Sequence, residues 1–205
     1  MQLVVDIETD GLIKPTKIHC IVALDVETEK EYVFEGEDCT GAASDCLRRA
    51  TKIIGHNFIQ YDWVWLARLL GINIDPAVVE DTLVLSQLLN QAMEGGHSLE
   101  NWGRILDHPK TGLEISDWSV YTPVMRDRCI NDCRLNLKVY KVLKRKLIDR
   151  DDKAFQAAIE VEHAMSFVCL SMHLDGFRFN DVGAKSLLAS LGDRVSALDK
   201  ELLDV

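Results

Sequence analysis

The chain has 205 residues, 47% hydrophobic and 27% charged, with 4 Pro and 12 Gly; this is an ordinary globular composition, long enough for one sizeable domain or a domain with an appendage. Its formal net charge of −10 argues against a broad nonspecific nucleic-acid surface, which needs Lys and Arg, but not against a small acidic site where metal ions meet phosphate. No apolar run reaches bilayer-spanning length, and Met1-Gln2-Leu3-Val4-Val5-Asp6 has neither the basic nor the apolar segment of a secretory signal, so the expectation is a cytoplasmic protein with no membrane partner.

Residues 2–6 are predicted to be a buried strand. Residues 18–25 and 31–35 follow as strands, and the short connections predict an antiparallel meander. A helix is expected over 41–50. The apolar run Lys52-Ile53-Ile54-Gly55 reads as a strand returning to the sheet. The spacing predicts a helix from Tyr61 to Leu70 with Gly71 as its C-terminal stop. Val78-Val79 begins a short strand, and Asp81 caps a helix running to about Asn90. Residues 91–97 form a loop, 98–106 a helix, and 107–120, with Pro109 and Gly112, a polar loop. Long helices are expected over 124–148 and 153–173, broken at Gly176, and then Leu187, Leu188, Leu191, Val195, Leu198 and Leu202 form an apolar stripe at helical spacing. Strands followed by helices predict an α/β fold, a mixed sheet flanked by helices. The six cysteines, Cys20, Cys39, Cys46, Cys129, Cys133 and Cys169, have no zinc-ligand spacing and read as reduced thiols. Lys138, Lys141, Lys144, Arg145 and Lys146 read as a solvated helix face.

Four carboxylates stand at the edges of these elements: Asp6, Glu8, Asp62 and Asp132. Asp6 and Glu8 are two apart, so an extended backbone turns both to one face. Such a set suits hard divalent ions such as Mg²⁺ or Mn²⁺, with phosphate as a further ligand. Two ions about 3.5–4 Å apart can supply nucleophile activation and charge stabilisation for phosphodiester hydrolysis. The plain alternatives are a turn Asp, a first-turn Asp favoured by the helix dipole at position 62, and a solvated helix face at 132.

Asp6-Ile7-Glu8-Thr9, Asn57-x-x-x-Tyr61-Asp62 and Cys129-x-x-Asp132 resemble the three exonuclease motifs of the DEDD superfamily, most closely the 3′–5′ proofreading domain of phage-type family A DNA polymerases. Thr16-Lys17-Ile18-His19-Cys20, Asp81-Thr82-Leu83-Val84-Leu85-Ser86 and His97-Ser98-Leu99-Glu100-Asn101-Trp102-Gly103 are similar to connecting segments of that group. The resemblance implies a ribonuclease H-like fold and two Mg²⁺ or Mn²⁺ ions. It implies that Asp6, Glu8 and Asp132 hold the ion that activates water, and that Asp6, with Asp62 through water, holds the ion at the leaving oxygen. Glu8 and the backbone at Thr9 would meet the terminal 3′-hydroxyl, Leu12 would wedge against the terminal bases, and Asn57 would contact the substrate backbone. A core Leu12 and a turn-forming Asn57 are the alternatives, and Tyr61 and Phe58 either line the substrate or only pack. The implied partners are a single-stranded or frayed DNA 3′ end and a polymerase domain, in cis or as a missing C-terminal part. The implied location is the host-cell cytoplasm if phage-encoded.

Two departures from that pattern matter. The family carries Tyr four residues before the last Asp or His five before it; here those positions are Arg128 and Asp127. Arginine offers donors only, so it cannot take a proton from water, though it can hold the scissile phosphate. Asp127 or Tyr121 entering from a shifted helix start is an alternative. His173-Leu174-Asp175-Gly176-Phe177-Arg178-Phe179-Asn180 resembles the junction to a polymerase domain. The expected division is therefore an exonuclease domain over 1–150 and a helical extension over 151–205, leading toward a polymerase domain.

Overall fold

A computed structural model describes residues 1–108, 115–148 and 153–203; Pro109 and Gly112, expected in a loop, lie outside the described residues. The strands are β1 (Gln2–Thr9), β2 (Ile18–Asp25), β3 (Glu31–Glu35), β4 (Lys52–Gly55) and β5 (Val79–Asp81). The helices are α1 (Gly41–Arg48), α2 (Asp62–Leu70), α3 (Thr82–Leu89), α4 (Leu99–Ile105), α5 (Pro123–Ile148), α6 (Lys153–Asp175) and α7 (Asp181–Leu203).

The five strands form one sheet in the order β3-β2-β1-β4-β5. β1, β2 and β3 pair antiparallel, as the meander reading expects. β4 and β5 join parallel to β1, which makes the sheet mixed. β1 is therefore interior and is covered on both faces. Leu3, Val5 and Ile7 pack in one apolar layer with Ala43, Leu47, Val64 and Leu66 of α1 and α2. Val4 packs in the opposite layer with Cys129, Cys133, Leu137 and Tyr140 of α5. The two-residue period therefore turns Asp6 and Glu8, which follow Val4, toward α5. Cys129 Sγ donates to the Asp6 carbonyl at 3.3 Å, which fixes α5 beside this part of the strand.

β1 runs three residues beyond the predicted end. Asp10 ties off the following loop: its carboxylate accepts from Thr16 N at 2.8 Å, from Lys17 N at 3.1 Å and from the Thr16 hydroxyl. Gly71 closes α2 at φ 66° with its N–H on Ala67 and Leu66 carbonyls, as the sequence indicates. Asp81 caps α3 by accepting from Leu83 N at 2.9 Å, and Ser98 caps α4 by accepting from Asn101 N at 3.2 Å.

Asp81 also orders the loop between β4 and α2. Its carboxylate accepts from Asn57 N at 2.9 Å and Ile59 N at 3.1 Å, and its own N–H donates to His163 Nε2 of α6 at 2.8 Å. Phe58 beneath that loop is fully buried. A Cβ added at Gly55 would fall 2.5 Å from Phe58 Cβ and Cδ2. Gly55→Ala is therefore expected to lower stability by about 1–3 kcal/mol through overpacking, measured by urea denaturation; an unchanged midpoint would show that the ring moves aside freely.

One compact unit spans Met1–Leu170, with α6 contributing Leu170 to its core. The second comprises residues from Ser171 onward, with α7 and exposed Leu187, Leu188, Leu191, Val195, Leu198 and Leu202. Among the described residues no helix is long and apolar enough to cross a membrane.

Candidate active site

The sequence places the carboxylates by three separate routes. Asp6 and Glu8 come from the α5-facing side of β1. Asp132 comes from α5, one residue before Cys133, whose thiol is buried against the Val4 and Val22 carbonyls. Asp62 opens α2. β4 pairs with β1 only as far as Val4, so the Ile7 N–H beyond that point needs another acceptor. Asp62 Oδ1 supplies it at 3.0 Å, buried.

Asp6, Glu8 and Asp132 each present a carboxylate oxygen, and these atoms lie within 4.8 Å of one another. Asp62 is close enough for the Asp6 charge to raise its pKa, after the larger effect of its own burial. Burial, and then the Asp132 charge, push the Asp6 carboxyl up to about 7. Burial, and then the Asp6 charge, push Glu8 up to about 9, against an opposing effect of Arg128. Carboxylates crowded this way repel one another unless a cation or a proton intervenes. The oxygen-only donor set and its crowded charge fit hard divalent ions, which Asp6, Glu8 and Asp132 would hold, with Asp62 behind them.

The folded-state pKa of Asp6 lies above the usual carboxylate value near 4. Between those pH values the folded chain binds more protons than the unfolded one, so stability falls as pH rises through that window. Asp6→Asn removes this penalty. In chelator at pH 8 it is expected to raise Tm by about 2–4 °C, roughly 1 kcal/mol for a chain of this size, with a flatter dependence between pH 5 and 8. Identical Tm–pH curves for the two proteins would contradict the charge crowding.

The carboxylates open into a cleft of about 600 Å³ lined by Asp6, Glu8, Thr9, Leu12, Tyr61, Trp118, Arg128 and Asp132, with Ile7, Gly11 and Ile13. Thr9 Oγ1 and the Tyr61 hydroxyl are 2.6 Å apart, and each lies 2.9 Å from the Gly11 carbonyl. That knot fixes the turn after β1. Leu12 beyond it is 84% exposed and Ile13 89% exposed, so Leu12 is no core leucine. Arg128 reaches back over the acids, with Nε 3.5 Å from Glu8 Oε1 and 3.7 Å from Asp132 Oδ2.

Two expected substrate contacts are not in this cleft. Phe58 is fully buried in the core, so its side chain packs and offers no surface to a substrate. Asn57 is exposed, with φ 60°, the conformation of a turn-forming Asn, and it does not line the cleft. The alternatives to Arg128 are also elsewhere: Asp127 pairs with Arg126 at 2.9 Å, and Tyr121 stands beside His19 with ring centroids 6.0 Å apart. Trp118 is a cleft residue that the sequence reading passed over. Its only signal was a large aromatic in an otherwise polar segment.

No protein-family model matches the chain, and no curated protein matches it. Solved structures do match. One described as the apo form of the nuclease aligns at TM-score 0.62 with 18% identity, covering 88% of this chain and 89% of that one. Brucella melitensis NrnC aligns at TM-score 0.62 with 19% identity over 88% of this chain and 90% of that one. The same protein with bound Mg²⁺ aligns at TM-score 0.56 with 19% identity over the same shares, 88% and 90%. At these identities the likeness establishes the fold: a ribonuclease H-like mixed sheet flanked by helices.

Proposed function

We propose that the chain is a metal-dependent 3′–5′ exonuclease that hydrolyses phosphodiester bonds at single-stranded or frayed DNA 3′ ends. The observation that carries this reading is the convergence of Asp6, Glu8 and Asp132, with oxygens within 4.8 Å, at the floor of an open cleft. Two divalent ions bound there would activate water and stabilise charge on the attacking and leaving oxygens. A solved structure of the same fold contains Mg²⁺, which supports the choice of ion.

The chain's own residues bind and orient. Asp6, Glu8 and Asp132 form the anionic floor; Asp62, buried on the Ile7 amide and outside the cleft lining, would act on a metal only through water. The exposed Leu12 and Ile13 form an apolar lip suited to the terminal bases. Thr9, held by Tyr61, places backbone polar groups next to Glu8, where a 3′-hydroxyl would sit. Arg128 offers a fork of donors to the scissile phosphate. The proofreading setting, with a polymerase domain as partner, rests on the sequence words alone.

One observation favours a second reading. Arg128 stands where the resemblance expects a water-orienting Tyr, and it pairs with two of the metal-binding carboxylates. A domain of this kind holds a DNA end but turns over slowly. Incubation with 3′-overhang DNA, or RNA of the same sequence, in Mg²⁺, Mn²⁺ or chelator separates the readings. Stepwise shortening of DNA from the 3′ end only with metal is the expected result. Metal-dependent binding without shortening supports the second reading, and shortening of RNA alone reassigns the substrate. Shortening in chelator overturns the metal site.

A further inference from the structure

The Arg128 guanidinium engages three partners in one cleft. It lies 3.5 Å from Glu8 Oε1, 3.7 Å from Asp132 Oδ2 and 5.3 Å from the centre of the Trp118 ring. Trp118 is itself fixed, because its carbonyl contacts Nε2 of His19, a buried residue of β2, at 2.8 Å. The aromatic face thus presents a planar cation to the carboxylates from a wall tied to the sheet. The ion-pair distances exceed those of charge-assisted hydrogen bonds, about 2.7–2.9 Å, and the Arg128 side chain is 40% exposed. The guanidinium is held near the acids without being locked onto them, and the side chain lines the cleft.

A divalent ion at Asp6, Glu8 and Asp132 needs carboxylate oxygens from the same residues that Arg128 now pairs. Both cations cannot take them fully, so they compete. We propose that Arg128, positioned by Trp118, is a resident counter-cation that metal must displace and that a substrate phosphate draws away, so that metal and a phosphate-bearing 3′ nucleotide bind cooperatively. The inference rests on the metal-dependent reading above. Without phosphate, Arg128 partly neutralises the acids and weakens metal binding. With phosphate, the guanidinium transfers to the new anion and frees Glu8 and Asp132. Linkage makes the effect reciprocal: metal strengthens nucleotide binding by the same factor. Trp118 is a positioning residue in this scheme, acting through Arg128.

Binding of Mn²⁺, measured by calorimetry and by the loss of the free-ion EPR signal, tests this without reference to turnover. Thymidine 5′-monophosphate serves as the phosphate-bearing probe and thymidine as its uncharged control, at constant ionic strength. In the wild-type chain the monophosphate is expected to tighten Mn²⁺ binding about 5-fold or more, the scale of an ordinary coupling between sites, and thymidine is not. Arg128→Gln is expected to bind Mn²⁺ more tightly than wild type without nucleotide, and to show a smaller gain on adding the monophosphate. Trp118→Leu shifts both values in the same direction by less, and Arg128→Lys, which keeps the charge, stays closer to wild type. Circular dichroism checks that each variant is folded. Equal or weaker Mn²⁺ binding by folded Arg128→Gln, or an unchanged gain from the monophosphate, overturns the counter-cation role and leaves the metal site standing. Absence of Mn²⁺ binding in every protein overturns both.

Discussion

Asp132→Ala is expected to slow 3′-end shortening by about 10³-fold or more, while the chain stays folded. Each 1.4 kcal/mol lost from the transition state costs about tenfold, and removing a carboxylate from a metal site forfeits several such steps. The side chain projects from α5 at the edge of the cleft and is 20% exposed, so its loss leaves no core void. It also removes one of the charges that raise Asp6, so in chelator the variant should be at least as heat-stable as wild type. Asp62→Ala provides the contrast, because it also strips the Ile7 amide of its buried acceptor. A part-buried carboxylate at the cleft edge and a buried one thus separate catalysis from stability. Single-turnover cleavage of a labelled oligonucleotide beside thermal unfolding reads both quantities. Wild-type rates in folded Asp132→Ala would rule out the metal site.

Arg128→Tyr is the second large effect, and it has the opposite sign. A positioned general base is worth about 10²–10⁴ in rate, and arginine cannot serve as one. A tyrosine hydroxyl at this point of α5 can both accept and donate toward a water above Glu8 and Asp132. The substitution also removes the cation paired with those groups at 3.5 and 3.7 Å. Single-turnover cleavage in saturating metal is expected to rise about 10- to 100-fold, the lower part of the general-base range because the hydroxyl is not tuned to its place. A fall in rate would show that the guanidinium's hold on the phosphate outweighs any help with the water.

Most of the fold was legible because its local signals agree with its tertiary ones. Gly71 ends α2 and Asp81 caps α3, and the meander of β1, β2 and β3 followed from short connections between apolar runs. The end of β1 was less visible. Asp6 and Glu8 break its apolar pattern, and a single-residue signal cannot show that the Asp10 carboxylate ties the far side of the loop. Asp6 and Glu8 could be placed on one face from spacing alone, whereas the arrival of Asp62 depends on where β4 stops pairing. Phe58 stayed open between substrate and core because an aromatic beside motif residues looks the same in sequence whether it faces a ligand or a glycine such as Gly55. Trp118 lacked any periodic context, and its importance comes from His19 and Arg128, nearly a hundred residues before it and ten after it.

The interior position of β1 has one further consequence. Its odd residues, Leu3, Val5 and Ile7, enter an apolar layer, and Asp6 and Glu8 occupy the other side. If the strand slipped by one residue against its neighbours, the carboxylates would be driven into the layer beneath α1 and α2, and Val5 and Ile7 would line an acidic cleft. Burying two unpaired charges there is prohibitive. Asp6 and Glu8 thereby penalise misaligned pairings of the sheet while the chain folds, so substitutions that relieve their mutual repulsion stabilise the native state but narrow its energetic separation from the slipped one.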